Sequence, residues 1–249
     1  MGQAPLNNQK YLIVGDGRLS RHLSHYFKLS NISFKTWSRK KNNYEQLQHY
    51  LQDNPVVLLA IQDKAILEFY KAYLKDMDLT VVHFSGALHF SEIYGFHPLM
   101  TFSETLYSLE TYQSISFIST PSEPSFESVF PNLTNPNFKI PTEKKALYHS
   151  YCVVAGNFSN ILWKAVSERF QTQLQLPQTV LMPYLQAVFE NIKNDPTGSL
   201  TGPLAREDHH TIEKNLESLS GDALKSIYLS FYEFYQNEKK ETPREHLEL

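Results

Sequence analysis

Short hydrophobic runs alternate with amphipathic stretches through the first half of the chain. Residues 11–14, YLIV, are apolar throughout, which is typical of a strand buried on both faces of a parallel sheet, whereas residues 18–27 carry apolar side chains at helical spacing. Further strand patterns occupy 32–37, 55–61, 78–84, 95–102 and 114–118, with helical patterns at 44–51 and 64–74. This alternation predicts an α/β domain built on a mostly parallel sheet.

The pattern changes after Pro141. Residues 119–141 are rich in Pro, Ser, Thr and Asn, and predict a short helix, a short strand and the exit from the first domain. From Thr142 onward no strand pattern recurs, and helical patterns cover 142–171, 178–193, 207–219 and 222–239, before a tail that we expect to fray. We therefore expect an α/β domain over 1–141 and an all-helical domain over 142–249.

The first strand pattern breaks into glycines. Gly15 and Gly17 stand between a strand and a helix, as in the dinucleotide-binding fingerprint GxGxxG: the first glycine permits the turn, the second lets backbone approach a pyrophosphate, and the helix N-terminus attracts phosphates. Ser20 takes the place of the third glycine and is small enough for close helix–strand packing. We expect a Rossmann-like domain that binds its cofactor through Gly15, Gly17, Arg18 and Leu19; the alternative is an ordinary glycine-rich turn.

A serine and three cations follow the second strand pattern, at Ser38, Arg39, Lys40 and Lys41. An NAD-binding unit carries an acidic residue here, about 20 residues beyond the glycines, which binds the ribose 2′-hydroxyl. The cations suit the 2′-phosphate of NADP instead, with Arg39 as a bidentate partner and Lys40 as a point charge. The alternative is a solvated basic loop, and the position relative to the glycines favours NADP.

The remaining expected cofactor contacts come from the carboxyl ends of two further strands, because ligands of open α/β sheets bind there. They are Ala60, Ile61 and Gln62 after the third strand pattern, and Ser85 after the fourth. Asp63 is expected to cap the helix that follows.

The composition of the chain limits which cellular compartment and which partners we expect. The chain is 41% hydrophobic and 20% charged, and no stretch is long enough to span a membrane. A net charge of −3 argues against a general nucleic-acid binder. Because Cys152 stands alone and the N-terminal segment lacks an apolar signal core, we expect a cytoplasmic protein. No metal-ligand spacing or Walker motif occurs.

The helix predicted over 142–171 has two distinct stripes on a helical wheel. The apolar stripe comprises Leu147, Tyr151, Val154, Phe158, Ile161 and Ala165, and a second stripe about 120° away comprises His149, Val153, Asn157, Asn160 and Lys164. Asparagine is unfavourable inside helices, so we expect Asn157 and Asn160 to face a cleft. The alternative is that both amides cap loops or face solvent.

Six segments together carry a resemblance to a known group of enzymes. They are VGDGRLS at 14–20, LLAIQDKAI at 58–66, VVHFSGAL at 81–88, GFHPL at 95–99, KALYHSYCVVAGNFSN at 145–160 and LTGPLARED at 200–208. In this order they resemble the two-domain Rossmann-like oxidoreductases related to ketopantoate reductase, pyrroline-carboxylate reductase and prephenate dehydrogenase. The nearest likeness is to the branch with a helical C-terminal domain of unknown function.

The resemblance implies an NADP-binding N-terminal domain, a helical domain that forms a homodimer, and a site between the two. A surplus of aromatic residues in the last helix also favours the dimer: Tyr228, Phe231, Tyr232, Phe234 and Tyr235. His97-Pro98 is similar to the His-Pro of prephenate dehydrogenases, whose histidine contacts the substrate hydroxyl. Several relatives have a catalytic lysine four residues before a helix asparagine, where this chain has Val153 and Gly156.

Arg206 follows a glycine–proline turn and precedes a helix start, an arrangement that can bind a carboxylate or phosphate. The alternative is that Arg206 pairs with Glu207 or Asp208. We expect an NADP-dependent oxidoreductase on a small anionic substrate, with His97 as acid or base, Asn157 and Asn160 as orienting groups and Arg206 as substrate clamp. The rival hypothesis is a nucleotide sensor or scaffold that kept the fold without catalysis.

Overall fold

The computed structural model describes residues 9–241. By its internal contacts the chain forms two compact units, Met1–Lys164 and Ala165–Leu249. The first unit thus extends past Pro141, where the sequence places the domain boundary. A compact unit and a domain need not coincide, and the boundary at 141/142 stays a prediction.

The first unit is built on a five-stranded parallel sheet in the order β2-β1-β3-β4-β5. Its elements are β1 (Tyr11–Val14), α1 (Arg18–Leu29), β2 (Phe34–Trp37), α2 (Tyr44–Leu51), β3 (Val56–Leu59), α3 (Asp63–Tyr73), β4 (Val81–His83) and β5 (Tyr94–Gly95). β1 and β3 lie inside the sheet and are buried along their whole length, which explains their unbroken apolar sequences. The predicted Rossmann-like α/β fold is confirmed.

A second, three-stranded sheet follows. It comprises β6 (His97–Pro98), antiparallel to β7 (Phe117–Ser119), and β8 (Asn137–Lys139), parallel to β7. The short helix α4 (Leu109–Ser114) connects β6 to β7, and α5 (Phe126–Val129) connects β7 to β8. The prediction of a single strand over 95–102 is therefore wrong, because Gly95 and His97 belong to different sheets. Pro98 lacks a backbone N–H and is placed on the edge strand of the new sheet, where a missing donor is tolerated.

Two hydrophobic clusters cover the two faces of the parallel sheet, because alternate residues of each strand point to opposite sides. Tyr11 and Ile13 belong to one cluster, with aromatic side chains such as Phe27 and Phe96. Leu12 and Val14 belong to the other, with the helical residues Leu47, Leu51 and Ile66 among its members. This packing fixes the carboxyl ends of the strands, where the candidate site lies.

The long helix predicted over 142–171 is present but irregular. It begins with a 3-10 turn at Thr142–Lys144, continues as α6 (Lys145–Cys152), passes through a π-helical segment at Val153–Phe158 and ends with α7 (Ser159–Thr172). A π-helical turn holds more residues than an α-turn, so it changes the phase of every side chain that follows. The wheel count made at a constant 100° is consequently not valid across residues 153–158.

The later helices match their predicted positions. A 3-10 turn at Gln178–Leu181 leads into α8 (Met182–Asn194), and α9 (His209–Ser218) and α10 (Leu224–Glu241) follow. Asp208 caps α9 by accepting from the N–H of Thr211 at 3.1 Å. In residues 9–241 we find no helix with the length and apolarity needed to cross a membrane. The tail beyond 241 lies outside the described residues.

Candidate functional site

The glycine turn between β1 and α1 is closed by backbone contacts. Gly15 has a φ of 135°, and a Cβ at this position would lie 2.3 Å from the carbonyl oxygen of Ala60. The Gly15 N–H donates to the carbonyl oxygen of Trp37 at 2.9 Å. Ser20 Oγ donates to the Gly15 carbonyl oxygen at 2.8 Å, so the serine that replaces the third glycine also holds the turn. A side chain at position 15 would be both strained and in collision.

The N-terminus of α1 is suited to an anion. Gly17 is its N-cap, has no side chain to obstruct a ligand, and a Cβ there would have no neighbour within 4 Å. The first turn contains no acidic residue, so its free N–H groups and the helix dipole favour negative charge. Arg18 and Arg21 add positive charge at this end and both form ion pairs with Glu104.

A groove of about 650 Å³ begins at this turn and reaches the end of β2. Its lining combines apolar side chains with polar ones, which include Asp16, Arg21, Ser38, Lys41 and Asn42. The Ser38 hydroxyl is buried and, within the described part of the chain, has no hydrogen-bond partner. A buried hydroxyl without a partner is costly, which indicates that a polar ligand group completes its hydrogen bonding.

The other expected cofactor residues occupy different surroundings. Arg39 and Lys40 are exposed beside Ser38, and Lys40 Nζ lies 3.8 Å from Asp16 Oδ2. Leu19 and Ile61 pack partly against the two cores, while Gln62 is the exposed N-cap of α3. Lys41, which the sequence analysis gave no separate role, lines the groove together with Lys28.

A second polar cluster lies where β4 ends. Ser85 Oγ donates to Asp63 Oδ2 at 2.6 Å, across from the start of α3. The expectation that Asp63 caps α3 is wrong, because Gln62 holds the N-cap position and Asp63 is already inside the first turn. Asp63 instead ties the loop after β4 to the helix after β3.

Two imidazoles meet beside the backbone of Gly86, the residue after Ser85. A Cβ on Gly86 would lie 2.6 Å from His149 Nδ1 and 3.1 Å from His97 Nε2. The other ring nitrogen of His97, Nδ1, is 2.7 Å from the Tyr148 hydroxyl. His149 Nδ1 is buried with no hydrogen-bond partner among residues 9–241. His97 therefore follows the carboxyl end of β5, with one ring nitrogen hydrogen-bonded to Tyr148 and the other close to Gly86 and His149.

Burial, together with the positive charges of His149 and Lys145, lowers the pKa of His97 to about 4. His97 is consequently neutral at physiological pH. A neutral imidazole donates from one nitrogen and accepts at the other, so it can form a hydrogen bond to a substrate group and polarise it without carrying a permanent charge.

Lys145 is the buried cation of this cluster. A Cβ on Gly95 would lie 3.1 Å from Lys145 Nζ and 2.9 Å from His83 Nε2, so both side chains meet at the end of β5. Burial lowers the pKa of Lys145, although Glu123 and Asp63 act in the opposite direction. For His83, burial first and then the charge of Lys145 lower the pKa to about 3.

Glu123 balances part of this positive charge. Its carboxylate is buried, accepts from the Thr120 hydroxyl at 3.3 Å and lies 3.6 Å from His89 Nδ1. Although several histidines and acidic residues gather here, no group of three such side chains in the described chain is placed to bind a metal ion.

The other expected site residues are not assembled by any described contact. Asn157 and Asn160 are exposed, and Asn160 Nδ2 donates to the carbonyl oxygen of Gly156 at 2.8 Å in its own helix. Arg206 belongs to the second unit, in the turn before α9. Glu207, one of its two possible partners, forms an ion pair with Lys239 at 2.6 Å. The roles of Asn157, Asn160 and Arg206 stay predictions.

Sequence reasoning gave no site role to Lys145, Tyr148 and His83, and named His149 only as a member of the second helix stripe. A signal for Lys145 and His149 was present, because Lys145 precedes His149 by four residues, the spacing that was sought before Asn157 and Asn160. His83 interrupts the apolar run VVHF, which marks a polar residue inside a buried strand. Both signals lay within the segments that carry the family resemblance.

The order of strands and helices defines a protein with a Rossmann-like unit followed by helices, and two polar clusters lie at the edge of its parallel sheet. Structures with the same fold include a Bacteroides fragilis protein that has been proposed to be an NADP oxidoreductase, with 19% identity, 92% of this chain and 98% of that chain covered, and a TM-score of 0.73. A Thermotoga maritima protein is 24% identical over 93% of this chain and 100% of that chain, with a TM-score of 0.69.

A more distant likeness is the pyrroline carboxylate reductase of Plasmodium falciparum, solved with NADP bound. It is 13% identical, covers 93% of this chain and 98% of that chain, and has a TM-score of 0.54. No curated protein matches the chain significantly. Residues 116–233 match the family model of a domain of unknown function, DUF2520. The predicted resemblance to Rossmann-like proteins with a helical domain of unknown function is thereby confirmed.

Proposed function

We propose that this protein is an NADP-dependent oxidoreductase that acts on a small anionic substrate in a cleft between its domains. One observation carries the proposal: the same edge of one parallel sheet holds a groove with a glycine turn and, farther along, a buried cluster of His97, His149 and Lys145. Ligands of open α/β sheets bind along this edge. The names of the similar Bacteroides and Plasmodium proteins support the same cofactor.

The residues of the groove fit NADP. The turn at Gly15 and the N-terminus of α1 would hold the pyrophosphate, and the unpaired Ser38 hydroxyl with Lys41 and Arg39 would hold the 2′-phosphate. When bound, the reduced nicotinamide supplies a hydride. The cofactor would extend along the sheet edge toward Ser85 and Gly86.

The buried cluster would bind and polarise the substrate. His97 Nε2 and His149 Nδ1, which flank Gly86, are suited to hold a hydroxyl, carbonyl or imine group. Lys145 adds a buried positive charge that favours an anionic substrate. This division assigns orientation and charge balance to the protein, while the cofactor performs the redox chemistry.

Two measurements on the purified protein test the proposal. Calorimetric titration should give tighter binding of NADPH than of NADH, and Arg39→Ala should reduce this preference because one 2′-phosphate contact is lost. NADPH absorbance should then report turnover in a screen of small ketoacids, hydroxyacids and cyclic imines. Equal affinity for the two cofactors would contradict the NADP assignment. Binding without turnover of any compound would support the sensor or scaffold hypothesis.

We also propose that the protein is a homodimer formed by its helical region. Leu147, Tyr151, Val154, Phe158 and Ile161 are each about half exposed or more. Exposed apolar side chains of this size are typical of protein–protein interfaces, and a second copy offers the same surface by two-fold symmetry. Phe231 and Phe234 are also exposed on α10.

Light scattering tests the dimer directly. The wild-type chain should give twice the chain mass of 28.9 kDa at micromolar concentration. Phe158→Glu should shift it toward the monomer, whereas Phe138→Glu, at an exposed phenylalanine of β8 away from the helices, should leave the mass unchanged. A monomeric wild-type protein would reject this proposal.

A further inference from the structure

The hydrogen bond between Tyr148 and His97 connects the first turns of α6 to β6. Tyr148 Oη lies 2.7 Å from His97 Nδ1, and the rings meet edge to face with centroids 5.5 Å apart. The opposite ring nitrogen, His97 Nε2, lies on the Gly86 side. Because the two nitrogens of a neutral imidazole have opposite roles, the direction of the Tyr148 bond decides what Nε2 offers to the site.

The tyrosine has one proton and two nearby acceptors. Besides His97 Nδ1, its hydroxyl neighbours the thiol of Cys152, one turn later on α6. An imidazole nitrogen is a strong acceptor and a thiol sulfur a weak one, so the Tyr148 O–H is best used on His97. Burial, the largest cause, and the nearby Cys152 raise the pKa of Tyr148, which therefore keeps its proton at physiological pH.

We propose that Tyr148 is a positioning residue that donates to His97 Nδ1 and thereby keeps the His97 proton on Nε2, facing Gly86. His97 is then a hydrogen-bond donor toward the substrate, and its unprotonated nitrogen is not available there as a base. The tautomer follows from the contacts alone, whereas its role in catalysis rests on the oxidoreductase proposed above.

In this arrangement His97 is a hydrogen-bond donor to the substrate oxygen or nitrogen in both directions of hydride transfer. When the double bond of a carbonyl or imine accepts a hydride, its π electrons move onto the oxygen or nitrogen, and the donor at Nε2 stabilises the negative charge that develops there until a proton from solvent neutralises it. Because the imidazole is neutral, its donor is present throughout the neutral pH range. The unpartnered His149 Nδ1, which also lies beside Gly86, offers the same substrate group a second contact.

Nitrogen NMR on protein labelled with ¹⁵N-histidine tests the tautomer without any substrate. The His97 signals are assigned by their loss in His97→Gln. In the wild type at neutral pH, we expect Nε2 in the range of a protonated ring nitrogen and Nδ1 in that of an unprotonated one. Tyr148→Phe should convert this single tautomer into a mixture, whereas Tyr44→Phe, which removes an exposed hydroxyl bonded to Gln48, should not.

The wild-type spectrum alone can overturn the proposal, since a proton on His97 Nδ1 would mean that Tyr148 accepts. An unchanged tautomer in Tyr148→Phe would also overturn it, because the hydroxyl would then not set the proton's position. If a turnover substrate is found, Tyr148→Phe should lower kcat about tenfold at unchanged affinity for NADPH. A wild type without turnover would refute the oxidoreductase assignment while leaving the NMR result to decide the tautomer.

Discussion

The two ends of the sheet's carboxyl edge differ in whether their basic side chains are exposed to solvent or buried. Beside β2, Arg39 and Lys40 are exposed, and the groove offers a buried hydroxyl at Ser38. Beside β4 and β5, Lys145 and His83 are buried, and the pKa of each is lowered chiefly by that burial. Solvated cations can bind a phosphate and retain their charge, whereas buried groups are sensitive to every neighbour. One end is therefore suited to binding, and the other to chemistry.

The largest expected effect separates these two roles at single residues. His97→Gln should lower kcat by about 10²- to 10³-fold, because the imidazole donor toward the substrate is lost, while the affinity for NADPH stays within about twofold. Arg39→Ala, at the other end, should weaken NADPH binding and leave kcat within about twofold. Steady-state kinetics measures kcat, and calorimetry measures the affinity for NADPH, in both variants. A loss of NADPH affinity in His97→Gln would remove the distinction between the two ends.

The next effect concerns the glycine turn, where Gly15 and Gly17 have different surroundings and can be compared directly. Gly15→Ala should destabilise the protein by about 3 kcal/mol, because its φ is positive and its Cβ would meet the Ala60 carbonyl oxygen. Gly17→Ala should change the stability by less than about 1 kcal/mol, since its Cβ would meet nothing. Urea unfolding measures both.

Cofactor titration sharpens the same comparison. Both glycine variants should weaken NADPH binding if the turn holds the pyrophosphate, but only Gly15→Ala should do so together with a loss of stability. Full NADPH affinity in Gly17→Ala would show that the backbone at this position does not approach the cofactor.

The smallest expected effect is a pH dependence of stability from the buried end. The pKa of His83 in the folded state is about 3, below the value of about 6.5 for an unfolded histidine, so between these values only the unfolded chain takes up the proton. Stability is therefore fully present above about pH 6.5 and falls as the pH drops toward 3, by at most about 1.4 kcal/mol per pH unit for this one group.

His83→Gln should flatten that slope, because glutamine is not protonated and its side-chain oxygen can still accept from the Ser85 N–H, as His83 Nδ1 does at 3.2 Å. His49→Gln, at an exposed histidine of α2, should keep the wild-type slope. Urea unfolding at pH 7, 6 and 5 gives the three slopes. Equal slopes in wild type and His83→Gln would show that His83 does not couple folding to protons.

Much of the sheet was predictable because its strands are buried on both faces, which leaves an unmistakable apolar run in β1 and β3. The glycine turn was predictable for a similar reason, since a backbone that needs positive φ and close approach selects glycine locally. The division of residues 95–102 between two sheets was not, because strands of two residues leave no period to count.

The buried cluster escaped prediction because its members are far apart in sequence and meet only in the folded chain. His83 ends a strand, His97 begins another, and Lys145 and His149 occupy the first turns of α6. Each has an ordinary structural explanation when considered singly. His97 alone was selected, on its resemblance to a family motif, and the contact that gives it a defined orientation comes from Tyr148, 51 residues later.

The π-helical segment at Val153–Phe158 makes residue count as important as residue identity in the long helix. A π-helical turn holds about one residue more than an α-helical turn, so deleting one residue from this segment to restore regular α-helix would leave the side chains of α7 at nearly the same angle relative to Lys145 and His149. The helix would keep its composition and nearly its length. Converting the segment to α-helix without a deletion would instead rotate every later side chain, so the segment holds one extra residue without moving the face that follows it.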